Sequence, residues 1–223
     1  MNVKSFRTRI ALVLLASCAC IIAQQARAVT LDFSNLAHTS VNFSGGGFSF
    51  SSTNGYQFTI TEVDGGTGDA VGLDGYVFAA TPFTIGTIIP LGSGQTAPVT
   101  GSGTLHITDA NNIDLTGTIT WIDITTLGVG GILNLNGTVN LNGITYTDSG
   151  SGSSSDLAAL GVAGAATDVI TFQFAAAKTL TQLKSTGGST SYSGSIDSVP
   201  EPGTITLVGM GLVSLLAFRH RRR

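Results

Sequence analysis

Four carboxylates crowd one glycine-rich stretch, TEVDGGTGDAVGLDG, at Glu62, Asp64, Asp69 and Asp74. A calcium ion takes roughly six to eight oxygens, and carboxylates with free backbone carbonyls on a flexible loop supply them. Calcium is therefore the one candidate cofactor, and the simpler alternative is a solvated acidic loop. The G-G-x-G-x-D pattern of calcium nonapeptides is missed, because Asp69 stands one residue early and the stretch occurs once.

Other chemistry finds little to work with. Residues 29–199 hold two histidines, His38 and His106, and no cysteine, and the chain has neither G-x-S-x-G nor H-E-x-x-H. In GTLHITD, Leu105 and Ile107 point away from His106, which reads as an exposed strand residue. A glycosidase needs two carboxylates about 5–9 Å apart across a cleft, and the spacing of the acids selects no such pair. Sugar rings stack on aromatic side chains, here Trp121, Tyr56, Tyr76, Tyr146 and Tyr192. Trp121 is in phase with Leu115 and Ile119, which assigns it to the core. The tyrosines, near strand ends or loops, are the better candidates. Thr116, Thr118 and Thr120 share one face of a strand, with Thr125 and Thr126 nearby. An ice-binding surface would need a ladder of such strands, so the plain reading is the β preference of threonine on a solvent face.

The elements that must position these groups are strands. Val29, Leu31 and Phe33 alternate with polar neighbours, as do Tyr56, Phe58 and Ile60, then Ile113, Leu115, Ile119 and Trp121, then Ile170, Phe172 and Phe174. Period two over short runs means half-buried β-strands. In TWIDITT the apolar phase moves from Trp121 to Ile122 and Ile124, which predicts a bulge or a strand buried on both faces. Asn136-Gly137 and Asn142-Gly143 predict tight turns of a small meander. SGSGSSSDLAALG predicts one short helix through Leu160 with Gly161 as its stop. Gly/Ser stretches at 44–47, 92–94, 149–155 and 187–195 read as loops. The expectation is a single all-β domain over residues 29–198, an antiparallel β-sandwich, with a β-solenoid as the alternative.

Charge is unevenly distributed. Only 10% of the chain is charged, against roughly 25% for ordinary soluble domains. Residues 29–199 contain two lysines, Lys178 and Lys184, against twelve acids, a net of −10. Such a body repels phosphate backbones, so no nucleic-acid partner is expected.

The basic residues sit at the ends. MNVKSFRTRIALVLLASCACIIAQQARA has a basic start, an apolar run and a small-x-small site at Ala26-Arg27-Ala28. That order predicts a signal peptide over residues 1–28, with signal peptidase cutting after Ala28. Both cysteines, Cys18 and Cys20, fall inside it. Leu15-Ala16-Ser17-Cys18 is also similar to a lipoprotein lipobox, in which Cys18 would carry lipid. At the other end, Val199, Pro200, Glu201 and Pro202 precede an apolar run over residues 205–218 and the basic Arg219, Arg221, Arg222 and Arg223. The run would make about 21 Å of helix, short of a ~30 Å hydrocarbon core. The arginines mark a cytoplasmic stop.

This tail resembles the PEP-CTERM sorting signal of Gram-negative bacteria in all three parts, over residues 199–223. The resemblance implies transient inner-membrane anchoring through a C-terminal transmembrane helix and processing by an exosortase, a membrane-embedded cysteine transpeptidase. It implies delivery to the cell surface or an exopolysaccharide biofilm matrix. The resulting expectation is a secreted, non-catalytic protein with a structural or adhesive role. The alternative is a carbohydrate-binding module that holds exopolysaccharide, with or without calcium, and the third reading is a hydrolase.

Overall fold

Short alternations of apolar and small polar residues become strands along nearly the whole body. The computed structural model describes residues 28–92, 94–126, 133–147 and 150–199, and residues 27–200 form one unit with its own core. The first strands are β1 (Thr30–Asn35), β2 (Val41–Ser44), β3 (Gly47–Phe50) and β4 (Phe58–Asp64). Next come β5 (Asp74–Phe78), β6 (Phe83–Ile85), β7 (Ile89–Leu91), β8 (Gly94–Thr100) and β9 (Ser102–Thr108). The long strands are β10 (Asp114–Thr126), β11 (Leu133–Thr145), β12 (Ala165–Gln173) and β13 (Gly188–Ser198). Helix α1 (Ser155–Ala163) follows β11, and α2 (Leu180–Thr186) follows β12.

The body is all-β and its strands pair antiparallel, as expected. Pairing runs β1-β4-β5-β9-β10-β11-β12-β13 and returns from β13 to β1. A second path leaves β13 through β2, β3, β6 and β8 and rejoins at β10, with β7 on the outer edge of β8. Two long strands serve both paths. β10 meets β9 over residues 114–120 and β8 over residues 123–125. β13 meets β1 over residues 193–197 and β2 over residues 188–190. The bulge expected in TWIDITT lies between Trp121 and Asp123, where β10 changes partner. It turns Trp121 and Ile124 inward and leaves Ile122 outside.

The core follows the inward alternation. Leu31, Ile107, Leu115, Ile124 and Phe172 are fully buried. Trp121 is core, as its phase required, and packs on Phe48 with ring centroids 4.8 Å apart. Phe48 also meets Phe43 at 5.2 Å and Phe83 at 5.5 Å.

Several local expectations are corrected. Asn136-Gly137 and Asn142-Gly143 are not hairpin turns, since both lie inside β11. Gly137 is needed because a Cβ there would collide with the Trp121 ring. Gly143, at φ +60°, makes the bulge opposite Thr116–Thr118. Residues 188–198 are strand rather than loop. Tyr192 and Ile196 face inward, and pairing to β12 on one side and to β1 and β2 on the other outweighs the low β propensity of the Gly/Ser run. That strand also absorbs Asp197 and Ser198, which leaves little linker before the tail. Helix α1 forms where expected but runs past Gly161 to a left-handed Gly164. Helix α2, held by a Thr179–Gln182 capping box, was not foreseen.

Candidate functional site

The acidic loop between β4 and β5 is bound to α1 by two reciprocal carboxylates. Asp69 Oδ1 accepts from Ser154 Oγ at 2.6 Å and from the Asp156 amide at 3.2 Å. Its Oδ2 accepts from the Ser155 amide at 2.8 Å and Ser155 Oγ at 2.7 Å. Burial would push this carboxyl up, but the hydrogen bonds from Ser154, Ser155 and Asp156 hold it well below the usual carboxylate range. Asp156, buried in the first turn of α1, reaches the opposite way. Its Oδ1 accepts from the Thr67 amide at 2.7 Å, and its Oδ2 from the Gly68 amide at 2.9 Å and the Ala70 amide at 3.2 Å.

The four sequence-selected acids are therefore not gathered as a ligand set. Glu62 and Asp64 are exposed on β4, Asp74 starts β5 beside Thr59 and Thr108, and Asp69 is spent on the helix. Among the described residues, no three His, Cys, Asp or Glu side chains are arranged to hold a metal.

The aromatic candidates divide by burial. The Tyr192 hydroxyl donates to the Gln57 carbonyl at 2.8 Å from within the core. The Tyr146 hydroxyl donates to Asp109 Oδ2 at 2.7 Å and accepts from the Ser154 amide at 3.0 Å. Both are structural, as is Trp121. Tyr56 and Tyr76 remain half-exposed and meet edge to face, with ring centroids 6.2 Å apart.

Strand register adds what the sequence did not mark. His106 stands opposite Tyr76 and stacks on it, with centroids 4.5 Å apart and planes 2° from parallel. His106 Nδ1 lies 3.1 Å from Asp114 Oδ2, while Thr108 Oγ1 donates to Asp114 Oδ1 at 2.7 Å. The Tyr76 phenol is pushed up by burial, then by Asp114 and Tyr56. Tyr76, His106, Thr116 and Thr145 form one rank across β5, β9, β10 and β11. Phe78, Thr104, Thr118 and Asn142 form the next, and Phe78 is 64% exposed. The patch offers rings, hydroxyls and one oriented imidazole–carboxylate pair on an outer sheet face. Alternation placed His106 outside, but its partners could be found only from the register.

Among the described residues, two cavities are lined by one acid and by none. Asp168 points inward among Phe33, Ile170, Tyr192 and Ile196, beside a cavity of about 10 Å³. That is close to the space of one water. Its Oδ1 has no hydrogen-bond partner among the described residues. Burial pushes the carboxyl well up, and Asp197 adds to the shift. A separate crevice of about 130 Å³ between Phe48, Phe50, Phe83 and the Ala79–Pro82 turn contains no acid.

At the two ends, Ala28 is exposed and Val29 buried. Val199 is exposed, and its amide donates to the Ala165 carbonyl at 3.0 Å. Ala26, Cys18, Cys20, Pro200, Glu201, Pro202, the apolar run and Arg219, Arg221, Arg222 and Arg223 lie outside the described residues. Among the described residues, no helix is long and apolar enough to cross a membrane.

Comparison with known families identifies the tail. Residues 198–223 match the PEP-CTERM protein-sorting motif. The match covers the tail alone, and the motif implies exosortase processing, export and membrane-linked sorting. No curated protein and no solved structure matches the chain.

Proposed function

We propose that this is a non-catalytic surface or matrix protein, sorted by an exosortase, whose β body has a structural or adhesive role. The sorting motif immediately after β13 carries the reading. An acidic body with a polar outer sheet supports it, because such a surface stays soluble in a hydrated polysaccharide layer. The test is fractionation of the host with and without its exosortase. The reading expects a shortened body at the surface in the first case and a longer, membrane-retained form in the second. Identical size and location in both strains would refute it.

The patch of Tyr56, Tyr76, Phe78 and His106 favours a second reading, in which the body binds exopolysaccharide directly. Rings cover the apolar faces of sugars, and the hydroxyls and the His106–Asp114 pair exchange hydrogen bonds with sugar hydroxyls. Purified body should bind the host's own exopolysaccharide saturably, and Tyr76→Ala should weaken binding about tenfold, the loss of roughly 1.4 kcal/mol. Binding lost on chelation would bring calcium and the exposed Glu62 and Asp64 back into the site. No saturable binding with or without calcium would leave the structural role alone.

A further inference from the structure

Carboxylates frame one end of the outer patch. Asp74, Tyr76 and Phe78 alternate along β5 and share its outer side, opposite Thr108, His106 and Thr104 of β9. They span about 13 Å at 3.3 Å per residue, room for more than one sugar ring. Thr108 stands between Asp74 and Asp114 of β10. Two carboxylates therefore flank one hydroxyl, roughly 10 Å apart by strand spacing. Asp114 is held by Thr108 and His106. The half-buried Asp74 carboxylate has no hydrogen-bond partner among the described residues.

No side-chain ammonium answers this pair. The two lysines of residues 29–199 are spent on carbonyls, Lys184 on those of Ile85 and Gly86 and Lys178 on that of Gly187. At the other end of the patch Phe78, 64% exposed, is the most open ring, since Tyr76 is already stacked on His106.

We propose that this patch selects an oligosaccharide carrying free amino groups. One sugar ammonium sits above Thr108 between Asp74 and Asp114, and an adjoining ring covers Phe78. The proposal rests on the exopolysaccharide reading of the patch and adds selection by charge. An ammonium brings three N–H donors and the positive charge that the two carboxylates lack. N-acetylation leaves one N–H and no charge, so Asp74 would be covered without a matching cation. A uronic acid would set a third carboxylate against the pair and is repelled.

The experiment measures binding to residues 29–199, a unit with its own core, at about pH 6, where amines are protonated. A chelator is present throughout. The probes are oligomers of glucosamine, the same oligomers fully N-acetylated, and oligomers of galacturonic acid. Glucosamine oligomers should bind about tenfold tighter than the acetylated ones, as for one charge-assisted hydrogen bond gained, and the uronate weakest. That preference should disappear in about 1 M salt, where charges are screened beyond ~3 Å. It should also disappear in Asp74→Asn, a change that breaks no hydrogen bond. Glu62→Gln, which removes a charge from β4 outside the patch, should keep it. Phe78→Ala should weaken the amino and acetylated oligomers alike. Equal binding of these two would overturn the charge selection and leave the sugar-binding patch standing. Tightest binding of the uronate, or an amino preference that survives 1 M salt or Asp74→Asn, would overturn it as well. If none of the oligomers binds while the host's own exopolysaccharide does, the amino-sugar assignment falls alone; if neither binds, the reading of the patch falls with it.

Discussion

Carboxylates in this body have opposite fates, and pH separates them. Asp69 and Asp109 collect hydrogen bonds that outweigh burial, so both are held below the usual range. Their contribution is present above about pH 4 and is lost as pH falls through the lowered folded values. Asp168 is buried with an orphan oxygen and is shifted well up. Ionising it costs stability as pH rises from about 4 through its folded value. Asp168→Asn, which cannot ionise, is therefore expected to gain on the order of 1 kcal/mol over the native body at pH 7. The difference should vanish near pH 4 in urea melts at the two pH values. Asp69→Ala acts at the α1 N-terminus, where capping losses run about 0.5–2 kcal/mol. It is expected to lower stability by about that much in denaturant titrations at pH 7 and to flatten the acid limb of the pH profile.

At the scale of elements, the long strands explain which parts of the fold the sequence made legible. Period-two alternation located β1, β4, β10 and β12, and the phase break at Trp121 located the bulge. Asn-Gly misled because the same dipeptide suits a tight turn, a strand bulge at Gly143 and, at Gly137, a strand that must pass beneath an aromatic ring. At Gly137 only the Trp121 contact reveals the use. Gly137→Ala should therefore behave as a core overpacking change, costing about 1–3 kcal/mol, whereas at a type I′ turn the penalty would be conformational. Solving the variant's structure separates the cases: a displaced indole is expected, and an unmoved indole would count against the packing account. Strand β13 was hidden because its stability comes from neighbours on both sides rather than from its own Gly/Ser residues. The Tyr76–His106–Asp114 group was hidden for a related reason. Its members come from three strands, and nothing local in any of them specifies the register that brings them together.

Across the whole molecule, the pairing of β1 with β13 joins the two ends of the body and makes closure a long-range event. Most of the chain must be present before the Thr30–Asp197 register can form, and contacts of such separation slow folding. The same adjacency makes the ends of the β body dispensable as ends. A circular permutant joining Val199 to Val29 through a short Gly/Ser linker is expected to fold. It would be opened in the β2–β3 hairpin between Gly45 and Gly46, whose φ values are +58° and +85°. Its far-ultraviolet circular dichroism should match that of residues 29–199. Its melting temperature should fall near that of residues 29–199, because the linker keeps the Val29 N–H that donates to Ser198 Oγ. A permutant melting far below residues 29–199 would count against the adjacency of the two ends. One that fails to fold, when opening the same hairpin by proteolysis leaves the unjoined body intact, would mean that Val29 and Val199 are not neighbours in the folded protein.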